Sequence, residues 1–150
     1  MKKLYFIAIV FFIMSVVKAQ QLAPKDIAGT WHIALVSFNG NGIDFEHDGV
    51  FVSDTIKQRM NTEESAIYTE QLYGALNRFH DMTVTLTQGG DLVLFMDNNT
   101  QKGVFSLEYK DGLTYLTGGG VLSAVVTLPG GLMQWLVNDG DEMIMRFKKQ

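Results

Sequence analysis

The chain has 150 residues, with 12 Lys and Arg against 16 Asp and Glu, 47% hydrophobic residues and no cysteine. The lack of cysteine excludes disulfides, cysteine-ligated zinc or redox sites and a lipid anchor on cysteine. Three of the lysines lie in the first 19 residues, so the remainder has 9 basic and 16 acidic residues and a net charge of −7, which argues against nucleic acid and anionic membranes as partners.

The first 19 residues have the pattern of a secretory signal peptide. Lys2 and Lys3 precede an apolar run at 4–17, and small residues follow at the spacing that signal peptidase recognises. The run is shorter than the ~20 residues of a spanning helix. We therefore expect cleavage near Ala19, export to the periplasm or out of the cell, and no stable membrane anchor afterwards. The remaining residues, 20–150, have the length of one domain.

The first predicted strand covers 28–38, where apolar side chains recur at alternate positions. If Trp31 points inward, His32 points outward and is better explained as a surface residue than as a catalytic base. The next segment, 39–52, is predicted as a loop. Its Glu46-His47-Asp48 run is the one cluster of three candidate metal ligands in the sequence, and we expect it to be solvated rather than to bind a metal.

The segment 53–82 has the pattern of helix. Its apolar residues recur with the 4, 4, 3 spacing of one helical face: Tyr68, Leu72, Leu76 and Phe79. Asn61 and Glu64 are spaced as a capping box at a helix N-terminus. We predict a long helix at about 63–80 and a short one at about 54–60, with the long helix covering the open end of a barrel.

Seven further strands are predicted after residue 81, each ended by a short turn. Their ranges are 82–88, 92–96, 104–109, 113–117, 121–128, 133–137 and 142–148. Short connections favour antiparallel neighbours, and eight strands are enough to close a barrel. The predicted fold is therefore mainly β, an eight-stranded antiparallel up-and-down barrel with one or two helices inserted between its first and second strands.

Gly29-Thr30-Trp31 resembles the Gly-X-Trp motif that opens the first barrel strand of lipocalins and related calycins. The whole pattern is most similar to small secreted bacterial members of that group. In lipocalins the tryptophan packs across the closed end of the barrel, beneath an arginine from near the last strand. The resemblance therefore implies that Arg146 lies over the Trp31 ring. A helix after the first strand departs from typical lipocalins and is similar to fatty-acid-binding proteins, which have ten strands.

Function follows from the resemblance and from the residues that the strands and helix would turn inward. Met and aromatic side chains suit an apolar pocket, and a neutral hydrophobic ligand is expected because no basic side chain can be placed inside. The candidate ligand-binding residues are Leu72, Leu76, Phe79, Phe95, Phe105, Tyr115 and Trp135. No motif indicates catalysis, a cofactor or a metal. Two alternatives stay open: a protein-interaction module with a packed barrel, and a small barrel enzyme.

Overall fold

The computed structural model describes residues 21–118, 122–138 and 141–150; the predicted signal peptide lies outside these ranges. The helices within them are α1 (Pro24–Ile27), α2 (Asp54–Lys57) and α3 (Thr62–Leu76). The strands are β1 (Gly29–Phe38), β2 (Asn41–Asp44), β3 (Gly49–Phe51), β4 (Thr83–Leu86), β5 (Asp91–Met96), β6 (Asn99–Lys110), β7 (Leu113–Gly118), β8 (Leu122–Thr127), β9 (Met133–Asn138) and β10 (Glu142–Lys149). Short 3-10 turns cover Asn77–Phe79 and Pro129–Gly131.

Strands β1 and β4 to β10 form a closed antiparallel barrel. From β4 onward each strand is hydrogen-bonded to the next one in the chain, and β10 returns to pair with β1. This closing ladder is long, running from Trp31 opposite Lys149 to Phe38 opposite Met143. The predicted eight-stranded barrel is confirmed, and its closure removes the unpaired edges that an open sheet would expose.

Two-residue turns determine where β6 begins and ends. The turns at 97–98 and 111–112 both have positive φ at their two central residues, the conformation that fits the twist of a tight hairpin. The sequence predicts a four-residue turn at 97–100, but two residues are enough to reverse the chain. The strand therefore begins at Asn99 rather than at 104, and its first half pairs with β5.

The predicted loop at 39–52 is wrong, because this segment forms the β2–β3 hairpin. Asn39 and Gly40 have positive φ and turn the chain tightly from β1 into β2. Asp48, in the turn between β2 and β3, also has positive φ. Asn-Gly and Asp-Gly are strong hairpin signals, and both occur here, but the strands are too short to reveal a clear alternation.

β1 changes its hydrogen-bonding partner halfway along its length. Its residues 29–32 pair with β4, whereas residues 35–38 pair with β2. At the changeover, the Ile33 amide donates to the Met82 carbonyl (3.0 Å) and the Phe45 amide donates to the Ala34 carbonyl (2.8 Å). The chain is hydrogen-bonded to β1 up to Phe45 and again from Met82 onward. The segments 45–48 and 80–82 therefore lie side by side where they separate from β1. We call this place the fork.

The helical segment matches the predicted capping and burial. Asn61 and Glu64 form a capping box, each side chain accepting from the other residue's backbone amide at 2.9 Å. Leu72, Leu76 and Phe79 pack against the core, as predicted for the inner face, whereas Tyr68 of the same predicted face is half-buried and outside the core cluster. The helix contacts β2 and β3, and it ends at Leu76 rather than near 80 because the following residues tighten into a 3-10 turn. Among the described helices, none is long and apolar enough to cross a membrane.

The amino-terminal segment closes one end of the barrel. Leu22 and Ile27 are buried, at 4% and 0% exposure. The Trp31 indole Nε1 donates to the Ile27 carbonyl at 2.8 Å, and the Leu22 amide donates to Thr114 Oγ1 at 3.1 Å. These contacts join residues 22–27 to both β1 and β7, and Leu22 and Ile27 belong to the core. We call this end, with Trp31 at its centre, the closed end.

The expectation that Arg146 covers Trp31 is wrong. Lys149 lies opposite Trp31 in the ladder, with its Nζ 5.3 Å from the ring centroid. Arg146 is three positions away and therefore points to the other face of the strand, where its Nε donates to Gln134 Oε1 at 2.9 Å. Gly29 makes room for the Lys149 stem: its φ is +133°, and a Cβ there would lie 2.6 Å from Lys149 Cε.

Candidate ligand-binding site

The predicted ligand-binding residues separate into three groups. Phe105, Trp135 and Leu76 are buried in the core, and Leu72 and Phe79 are partly buried against it. Phe95 and Tyr115 alternate with residues that face the core, such as Leu94 and Leu116. Side-chain alternation therefore places Phe95 and Tyr115 on the outer face of the barrel, where they cannot line its interior.

Buried apolar side chains surround Trp135 in the barrel interior. This side chain is 1% exposed, and its ring centroid lies 4.8 Å from that of Phe147. Met133, Leu116 and Val126 are equally buried beside it in the core cluster. The Trp135 Nε1 has no hydrogen-bond partner among the residues that the structure describes. At this level, aromatic and aliphatic side chains form a packed core.

A cleft of about 530 Å³ lies at the fork, between the β2–β3 hairpin, the end of α3 and the segment that leads into β4. Ile43 is opposite both Val36 on β1 and Val50 on β3, and Val36 is fully buried. Cross-strand partners point to the same side of a sheet, so Ile43 and Val50 extend the apolar inner surface of the barrel into the cleft. Phe45 and Tyr73 complete its apolar lining.

Four polar residues also line this fork cleft, and we call them its rim. Asp48 comes from the β2–β3 turn, Asn77 from the end of α3, and His80 and Asp81 from the segment before β4. The His80 ring meets Phe45 edge to face, with centroids 5.7 Å apart and planes at 83°. His80 Nδ1 lies 2.8 Å from Asp81 Oδ1. The aromatic contact joins the two segments that leave β1 at the fork.

Two basic side chains, Lys148 and Arg78, form ion pairs with carboxylates that do not line the cleft. Lys148 Nζ lies 2.7 Å from Glu46 Oε1, and Arg78 Nη2 lies 3.8 Å from Asp97 Oδ2. In the described part of the chain, the residues that line the fork cleft include two carboxylates and no lysine or arginine. The rim therefore presents negative charge to whatever enters the cleft.

Asp44, at the end of β2, forms a pair with His47. Burial raises the pKa of the Asp44 carboxyl, but hydrogen bonds from His47 and from the Glu46 and His47 amides outweigh it and lower the pKa overall. The hydrogen bond to Asp44 raises the pKa of His47, and the negative charge of Asp44 adds to this effect. His47 Nδ1 lies 2.8 Å from Asp44 Oδ2, and within the described ranges no three His, Asp or Glu side chains converge as metal ligands.

The predicted elements did not place most of the residues that line the fork cleft. Phe45 and Val50 were assigned to a loop, and Tyr73 and His80 lie off the predicted apolar face of the helix. The local signals that could have found them are Asn39-Gly40 and Asp48-Gly49, which predict a hairpin and so make Ile43, Phe45 and Val50 strand residues. No local signal reveals that β1 changes partner.

Comparisons with known proteins yield one structural likeness. No family model matches the chain, and no curated protein matches it. A similar solved structure is that of a DUF4847 family protein from Bacteroides vulgatus ATCC 8482, with 14% sequence identity and a TM-score of 0.47, covering 82% of this chain and 94% of that one.

Proposed function

We propose that the protein is an exported, lipocalin-like barrel that binds a small, largely apolar molecule in the fork cleft. The observation that carries the proposal is the cleft, in which Ile43, Phe45 and Val50 continue the barrel core and four polar side chains complete the lining. Small-molecule sites are clefts of roughly 300–1,000 Å³ with mostly apolar walls and a few polar groups. The fork cleft has a volume within this range, about 530 Å³, and four hydrophobic and four polar residues line it.

The position of the cleft also supports this function. Leu22, Ile27 and Trp31 block the closed end of the barrel, so a ligand would enter from another side. The fork lies beyond the β1 residues that pair with β4, where α3 and the β2–β3 hairpin replace barrel wall. The signal-peptide pattern at 1–19 supports export, and Gly29 and Trp31 at the closed end support the lipocalin-like assignment.

A neutral hydrophobic dye tests the proposal directly. Nile red should bind the protein at micromolar concentration, with increased fluorescence, and a neutral hydrophobic competitor should displace it. Tyr73→Ala removes a wall of the cleft and should weaken binding about tenfold, the low end for loss of an apolar contact, because Tyr73 is half-exposed. Ile67→Ala is the matched control, because Ile67 is on the same helix, is also 50% exposed and does not line the cleft.

Two results would contradict the proposal. One is a folded protein that binds no dye at micromolar concentration. The other is equal loss of affinity in Tyr73→Ala and Ile67→Ala, which would place the dye on the helix surface. Either result would favour the alternative in which the packed barrel is a scaffold for protein contacts, an alternative that the dense core around Trp135 supports.

A further inference from the structure

The charge of the fork cleft favours one class of ligand. Asp48 and Asp81 both line it. The pairs formed by Lys148 with Glu46 and by Arg78 with Asp97 direct the two neighbouring cations away from these carboxylates. Asp81 is hydrogen-bonded to His80, and for Asp48 the described residues supply no side-chain partner. An anionic ligand would be repelled by these two exposed carboxylates, whereas a cation would be attracted to them.

The floor of the cleft suits the rest of such a ligand. Phe45 and Tyr73 present aromatic rings, and Val50 presents an aliphatic surface between them and the core. Aromatic faces attract organic cations as well as apolar groups. A molecule with a positively charged end and an apolar body would therefore place its charge at the rim and its body on the floor.

We propose that the fork cleft binds a primary amine with an aromatic or aliphatic body. This inference rests on the proposed function and adds the charge of the ligand, which the sequence alone led us to expect as neutral. The amine donates hydrogen bonds to the carboxylates of Asp48 and Asp81, and the body packs against Phe45, Val50 and Tyr73. Both carboxylates are exposed, the Asp81 side chain at 77%, so each is a modest contributor, and selectivity for the amine is expected to be about threefold to tenfold.

Three small ligands with the same phenyl body separate charge from hydrophobicity. They are 2-phenylethylamine, the neutral 2-phenylethanol and the anionic 3-phenylpropanoate, each titrated near neutral pH while amide shifts are followed by NMR. The amine should perturb Phe45, Val50 and Tyr73 with the lowest dissociation constant, the alcohol should follow, and the carboxylate should bind most weakly. Raising the salt concentration to about 0.3 M should weaken only the amine appreciably.

Matched variants show whether the rim carboxylates are responsible. Asp48→Asn should weaken amine binding about twofold to fivefold and leave alcohol binding unchanged, because asparagine keeps the shape and tolerates the positive φ of this position. Asp111→Asn is the control: it removes the same charge from another turn residue of positive φ, outside the cleft. Asp81→Asn tests the second carboxylate in the same way.

The outcomes distinguish this inference from the proposed function. Equal affinity for amine and alcohol at the cleft amides would overturn the inference and leave the cleft as an apolar site. Equal weakening by Asp48→Asn and Asp111→Asn would mean that the amine responds only to the net negative charge, which also overturns it. Failure of all three ligands to perturb the cleft amides would overturn both proposals.

Discussion

The strand register between β1 and β10 determines which cation lies beside Trp31. The motif Gly29-Thr30-Trp31 correctly marks the start of β1 and a buried tryptophan, but the cation comes from Lys149 rather than Arg146. Both are in β10, three residues apart, so they face opposite sides of the sheet. The contribution of each cation to stability can therefore be separated by mutation.

We expect Trp31→Ala to lower the free energy of unfolding by about 3–5 kcal/mol, because it removes a buried aromatic side chain and leaves a cavity. Lys149→Ala should cost about 0.5–1 kcal/mol through the lost cation–π contact, whereas Arg146→Ala should change stability by less than about 0.5 kcal/mol. Urea denaturation of the three variants measures all these values. A larger effect for Arg146→Ala than for Lys149→Ala would contradict the assignment.

The Asp44–His47 pair predicts a pH dependence confined to the β2–β3 hairpin. The raised pKa of His47 makes its stabilising effect complete below the ordinary value of 6.5 and lost as pH rises through the higher folded-state pKa. The lowered pKa of Asp44 makes its effect complete above 3.8 and lost as pH falls through the lower folded-state pKa. The pair should therefore protect the hairpin best between those two ordinary values.

NMR titration of the His47 ring measures this coupling. Its pKa should exceed the ordinary value in the native protein and return toward it in Asp44→Asn, while hairpin amides exchange faster in the variant. An unaltered His47 pKa in Asp44→Asn would mean that the pair does not persist in solution.

Among the elements, helix α3 buries few side chains, so its stability depends strongly on the capping interactions at its N-terminus. Leu76 is its one buried residue, and the helix packs on the short β2–β3 hairpin rather than within the barrel ladder. Local opening is easiest where few apolar side chains are buried. Amide exchange should therefore be faster in α3 than in β1 or β10, and the capping box should influence it strongly.

Asn61→Ala tests the cap. Because the Asn61 side chain accepts from the Glu64 amide, its loss should destabilise the helix by about 0.5–2 kcal/mol and speed exchange throughout α3. Asn77→Ala is the control, since Asn77 ends the same helix in an exposed αR position and the alanine keeps that conformation. Equal acceleration by the two substitutions would show that the cap does not limit the opening of the helix.

The sequence predicted elements whose signals are local and missed the features that depend on distant pairing. Alternation and Asp-Gly turns located the barrel strands, and the Asn61–Glu64 spacing located the start of α3. The fork could not be predicted because it depends on β1 exchanging β4 for β2 between Ile33 and Ala34. That exchange leaves no trace in either strand's own composition.

At the scale of the whole molecule, the two ends of the barrel differ because different segments cover them. Residues 22–27 seal the closed end through buried side chains and two hydrogen bonds. The other half of β1 pairs with β2 of the β2–β3 hairpin. The hairpin and α3 contact each other, and both line the fork cleft. The closed end is therefore filled by buried side chains, whereas at the fork a helix with one buried residue covers the barrel.

Substitution of Ile27 tests whether the segment 22–27 stabilises the core. Ile27 is 0% exposed, and its carbonyl fixes the Trp31 indole, so Ile27→Ala should lower the free energy of unfolding by about 2–5 kcal/mol. Lys25→Ala, an exposed position of the same short helix, should change it by less than about 0.5 kcal/mol. Denaturant unfolding measures both, followed by the fluorescence of the two buried tryptophans, Trp31 and Trp135. A cost for Ile27→Ala as small as that for Lys25→Ala would mean that the barrel stands without this seal, and the closed end would then be a second route for a ligand.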